Sequence, residues 1–137
     1  TPYVLGTDPL LPYAQYLHYI KPNISKGPPD WHNPEAAKDH IDYPYYPTRA
    51  IAELRDLLTE MRAALPRIQA PVLLIHSHQD GGVGPHNAEQ IFAHLTMEDK
   101  TLLWVENSGH VITREPDRQQ VFEAAESFIK RVVSLPT

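Results

Sequence analysis

This sequence predicts an α/β fold, a parallel sheet flanked by helices, and three observations predict it. Residues 71–77 (PVLLIHS) and 101–105 (TLLWV) are short apolar runs rich in branched residues and bounded by polar residues or proline, as strands covered on both faces are. Segments of helical period stand before, between and after them. Helix, strand, helix, strand, helix is the order of a parallel sheet with helices against its faces.

Taken in order, residues 1–47 differ from the rest. They hold all seven tyrosines and nine of the fourteen prolines, and their apolar periodicity does not outrun a short helix at about residues 11–20. Such a segment cannot build a core alone. It reads either as a tyrosine-rich cover over a groove of the remaining chain, tyrosine giving rigid amphipathic contact area, or as ordinary irregular loop.

From Thr48, a cap residue by type, Ile51, Leu54, Leu58, Met61 and Leu65 recur at three- and four-residue steps until Pro66. The first strand, residues 71–77, follows. Ala88, Ile91, Phe92 and Leu95 share one face of a helix over residues 87–95, and residues 101–105 form the second strand. The last helix, about residues 117–133, places Val121, Phe122, Ala125, Phe128, Ile129 and Val132 on one stripe. Trp104 and Phe122 read as core.

Composition narrows the function. A net charge of -5 without a basic cluster argues against a nucleic-acid partner. A mean hydropathy of -0.40 and the lack of any apolar run of bilayer length argue against a transmembrane segment. There are no cysteines, so disulfides and thiolate metal sites are excluded. No signal peptide is visible at the start, and the expected location is the cytoplasm, with secretion left open. The chain begins at Thr1 without an initiator Met, and two strands are too few for such a sheet. It therefore reads as the C-terminal part of a larger protein.

Asp80 and His110 each follow one strand, at the carboxyl rim where open α/β sheets bind ligands. Gly81 and Gly82 let the backbone turn sharply after Asp80, and Asn107, Ser108 and Gly109 make the loop before His110 tight and polar. A carboxylate beside an imidazole holds one tautomer and stabilises the imidazolium, leaving the other ring nitrogen to take a proton from a nucleophile. Read singly, Asp80 is a turn former and His110 a surface-loop histidine. Their joint placement after consecutive strands favours the catalytic pair.

PVLLIHSHQDGGVGPHNAEQIF and KTLLWVENSGHVITREPDRQQVFEAAESFI together resemble the C-terminal half of an α/β-hydrolase, of the bacterial carboxylesterase and monoacylglycerol lipase group. Asp80 and His110 stand where that group has its triad Asp and His. TRAIAELRDLLTEMRAALPRIQAPVL resembles the group's connection between cap and core, so the likeness covers about residues 44–133. Residues 1–43 match by place only. The resemblance implies a cap (lid) segment over residues 1–47 and the C-terminal part of the hydrolase core over residues 48–137. It implies a carboxylic ester hydrolase acting on a small ester or acylglycerol, with no cofactor and no metal. His110 would serve as base and then acid, and Asp80 as its orienting partner. Tyr43, Tyr45, Tyr46 and Val111 are candidate walls of the acyl pocket, though packing of the cap on the core accounts for the tyrosines as well. Two departures stand out. The group usually carries a larger polar or charged residue where Gly82 lies, and none of Ser25, Ser77, Ser108, Ser127 or Ser134 sits in a G-x-S-x-G elbow. The nucleophilic Ser and the oxyanion hole are thus expected in an N-terminal half of the same hydrolase, without which this chain would be inert.

Three other readings compete. HSHQD, with His76, His78 and Asp80, has the H-x-H-x-D spacing of a zinc hydrolase motif, although Gly81 stands where a further His is usual. A hydrolase relative that has lost catalysis would serve as an interaction module. An upstream Asp nucleophile would keep His110 and change the reaction.

Overall fold

The computed structural model describes residues 2–6, 8–27 and 29–134. The opening segment has little regular structure. A 3-10 turn, Leu11–Tyr13, started by Pro12, runs into the one-turn helix α1 (Ala14–Leu17). Strand β1 (Asn23–Ser25) pairs antiparallel with β2 (Tyr45–Pro47), Ile24 opposite Tyr46; nothing in the sequence pattern had marked this pair. Between them lies α2 (Pro34–Lys38), capped by Asn33, whose side chain accepts the N–H groups of Glu35 and Ala36. Pro34 occupies the first helical position, where a missing N–H is harmless.

Helix α3 (Thr48–Ala64) follows β2 directly. Thr48 was expected to cap it, yet Pro47 holds that position and the Thr48 hydroxyl makes no cap bond. The pairing of β2 with β1 draws Thr48 inward instead. Its N–H donates to the Pro22 carbonyl at 2.8 Å, and its hydroxyl to the Lys21 carbonyl. Helix α1 packs against α3, and a 3-10 turn, Leu65–Arg67, ends the run.

Strand β3 (Val72–Ser77), helix α4 (His86–His94) and strand β4 (Lys100–Val105) form one parallel crossover unit, with Val72 opposite Lys100 and Ser77 opposite Val105. Leu65, Ile91 and Leu95 are buried at its centre, and Met61, Ile68, Val72, Leu74 and Met97 pack around them. Each such side chain contributes about 1.5–3 kcal/mol when fully buried. Both strands end at the same rim. The loops that carry Asp80 and His110 therefore start side by side.

Helix α5 (Arg118–Val133) closes the described chain. Val121 is buried, but Phe122, expected in the core, is 48% exposed, and Ile129 and Val133 are exposed as well. Among the described residues no element covers that side of the apolar stripe. No helix among the described residues is long and apolar enough to cross a membrane.

Candidate active site

The loop after β3 folds around the Asp80 carboxylate. Asp80 is only 7% exposed. Its Oδ1 accepts the N–H of Gly82 at 2.9 Å and of Val83 at 2.7 Å, so the side chain closes its own turn. The backbone bends at Gly81 and Gly82 as expected, but no described glycine has positive φ, so the bend itself does not demand glycine. Space is the reason for both. A Cβ on Gly82 would lie 3.2 Å from the His110 ring, and one on Gly81 3.3 Å from the Asp30 carboxylate.

The His110 loop is fastened to the same rim by two buried serines. The Ser77 hydroxyl, at the end of β3, donates to the Ser108 carbonyl and accepts the Gln79 N–H at 3.0 Å. Asp117 accepts the Asn107 N–H at 2.7 Å and the Ser108 hydroxyl at 3.2 Å. These hydroxyls are spent on loop geometry.

Across this seam His110 Nδ1 lies 3.0 Å from Asp80 Oδ2 and 3.1 Å from Oδ1. An ionised carboxylate only accepts, so Nδ1 carries the proton and Nε2 keeps its lone pair. Nε2 has no hydrogen-bond partner among the described residues, and the ring is half exposed. Burial works to raise the Asp80 carboxyl, but the hydrogen bond from His110, with those from Val83 and Gly82, holds it below its usual 3.8. His110 is lifted above its usual 6.5, first by the bond to Asp80, against the effect of burial; the nearby Asp30 adds to the rise. The pair favours imidazolium.

His110, though not Asp80, lines a cavity of about 970 Å³ between the opening segment and the strand ends. His110, Val111, Gly81 and Gly82 form one side, and Trp31, Pro44, Tyr46, His40 and the Lys26–Asp42 ion pair lie on the other. Of the residues expected to wall an acyl pocket, Tyr46 and Val111 line this cavity. Tyr43 and Tyr45 do not, and both are exposed.

The zinc spacing does not converge on a metal site. His76 lies in β3 and His78 just beyond its end, and Trp104 lies against both rings. The His78 ring stacks on it at 4.2 Å, and the His76 ring meets it edge-on at 5.8 Å. His76 Nε2–H donates to the Val83 carbonyl at 2.8 Å, and His78 Nδ1 contacts Glu106 at 2.7 Å. No cluster of three or more metal-ligating side chains occurs among the described residues. His76, buried and 3.7 Å from Asp80 Oδ2, supports the Asp80 loop instead. Its place in a strand gave that role no signature in the sequence.

Comparison with known proteins extends this geometry. Residues 13–117 match the family described as Serine aminopeptidase, S33 (Hydrolase_4). The chain is 26% identical over 101 residues to a carboxylesterase of Bacillus subtilis (strain 168), covering 73% of this chain and 41% of that protein. It is 30% identical over 102 residues to a thermostable monoacylglycerol lipase of Bacillus sp. (strain H-257), covering 74% of this chain and 40% of the lipase. Among solved structures it resembles one from the work on LipS and LipT, two metagenome-derived lipolytic enzymes, with TM-score 0.80 and 30% identity over 90% of this chain and 50% of that one. The monoacylglycerol lipase of Paleococcus ferrophilus shares the fold, with TM-score 0.73 and 24% identity over 94% of this chain and 53% of the lipase. The chain thus spans well under two thirds of the length of each. The matched family model, the parallel β3–β4 pair and the shared architecture of these lipases make this chain a member of the serine aminopeptidase S33 (Hydrolase_4) family, with an α/β-hydrolase fold.

Proposed function

We propose that this chain supplies the acid and base of a Ser-His-Asp triad in a carboxylic ester hydrolase of the carboxylesterase or monoacylglycerol lipase type. The observation that carries the reading is the Asp80–His110 bond of 3.0 Å at the carboxyl rim of two parallel strands, beside a cavity with a half-exposed imidazole. The nucleophilic serine belongs to sequence upstream of Thr1. His110 Nε2 takes the serine proton as its oxygen attacks the ester carbonyl, and Asp80 stabilises the imidazolium. His110 then gives that proton to the leaving alcohol, and an acyl-serine remains. Water attacks it by the same route, releasing the acid and restoring the serine. No cofactor takes part.

The substrate is an ester or acylglycerol small enough for the cavity, in keeping with the names of the similar proteins. Residues 1–47 act as the cap. Trp31, Tyr46 and Val111 offer apolar wall.

In the full-length protein, His110→Ala should lower kcat on p-nitrophenyl esters by about a thousandfold or more. A variant with wild-type turnover would sink the triad.

A further inference from the structure

A residue of the opening segment touches both catalytic loops at once. Asp30 Oδ2 accepts the Gly81 N–H at 2.8 Å, immediately after Asp80 in the chain. The Asp30 carbonyl oxygen lies where a Cβ on Gly109, immediately before His110, would stand only 2.3 Å away, and Asp30 Oδ2 would be 3.1 Å from that Cβ. Asp30 is thus wedged between the two glycines that precede or follow the acid and the base.

The residues after it are fastened as firmly. Glu115, on the far side of His110, is fully buried, and its carboxylate accepts the N–H of Asn33 at 2.9 Å and of His32 at 3.2 Å. The Asn33 side-chain amide donates to the Arg114 carbonyl at 2.8 Å, and Arg114 pairs with Asp39 and sits over Trp31. Carboxylate-to-amide bonds are charge-assisted and directional, so they set position more tightly than apolar contact does.

We infer that Asp30 is a positioning residue, which sets the spacing of Asp80 and His110 by bracketing Gly81 and Gly109 while Glu115 anchors the strap that carries it. This inference rests on the triad reading above. The negative charge of Asp30 near His110 also favours the imidazolium. It thereby gives the position a signature in the pH profile that a purely structural residue lacks.

The test is steady-state hydrolysis of p-nitrophenyl butyrate by the full-length protein. Asp30→Ala should lower kcat about tenfold with KM within about twofold, since misplacement of catalytic groups acts on turnover. Asp30→Asn keeps an oxygen for the Gly81 N–H. It should restore kcat to within about threefold of wild type and move the acidic limb of kcat/KM to lower pH. An Asp30→Ala kcat within about twofold of wild type, an Asn variant no better than the Ala variant, or an unmoved acidic limb each overturns the inference. His110→Ala run alongside separates the two failures. If it is inactive while the Asp30 variants behave as wild type, the triad stands and only the positioning role falls.

Discussion

Around β3 and α4 the chain is held by apolar side chains, with Leu65, Ile91 and Leu95 at the centre. The segment before α3 has apolar contacts too, Tyr3 against that centre and α1 against α3, but it adds a set of directed polar ones: Thr48 holds residues 21 and 22, Arg62 donates to the Tyr3 carbonyl at 2.9 Å, Asp30 takes the Gly81 N–H, and Glu115 takes those of His32 and Asn33. Apolar contact is strong in sum but indifferent to direction. Hydrogen bonds add little net stability each, yet they fix angle and distance. The molecule places the first kind where it needs to stay folded and the second where the opening segment lies across Asp80 and His110.

Truncating the apolar centre should therefore produce the largest effect, and on stability alone. Leu95, 2% exposed, belongs to the packed apolar centre, and no residue of the His110 loop is in that cluster. Leu95→Ala should destabilise by about 2–5 kcal/mol through lost burial and the cavity left behind. A fall in the urea midpoint with unchanged kcat per folded molecule would support the division of labour; a kcat that falls together with stability would break it.

Glu115→Ala should cost less overall and act more locally. Its removal leaves the His32 and Asn33 N–H groups without their acceptor in a buried site, a penalty of about 1–3 kcal/mol. Amide exchange at His32 and Asn33 should accelerate in that variant while the amides of β3 and β4 keep their protection. Equal acceleration in the strands would mean that the two regions open as one, contrary to the comparison.

The same contrast decides what the sequence could tell. The α3-to-α5 frame was legible because apolar periodicity reports burial against a neighbour, and Ile91 and Leu95 are buried as their spacing implies. Asp80 and His110 were legible as positions because each follows a strand. Asp30 and Glu115 were not, since a carboxylate that holds backbone amides is spelled like one that faces water. The β1–β2 pair was missed for a related reason: three residues a side carry no readable alternation. Phe122 reads as core, and Ile129 shares its stripe, but the covering partner of that stripe is absent among the described residues. Thr48 illustrates tertiary override, because a residue suited to capping was claimed by the Lys21 and Pro22 carbonyls.

The Asp80–His110 pair lies on the seam between the two regions, and its pH dependence should give the smallest effect. Asp80 is held below its usual 3.8, so its share of stability is present above that value and lost as pH falls through the lower folded value. His110 is raised above 6.5, so its share is complete below that value and lost as pH rises through the higher folded one. Both shares coexist only between these limits. Because the imidazole is half exposed, its share should stay below about 1 kcal/mol after solvent screening. On the proposed triad, activity runs the other way, since His110 has to be neutral before it can accept a proton. The acidic limb of kcat/KM for the full-length protein should thus lie above the 6.5 of an ordinary histidine. In Asp80→Asn, which removes the charge, the limb should move to lower pH, and if it stays in place the imidazole is tuned by something other than Asp80.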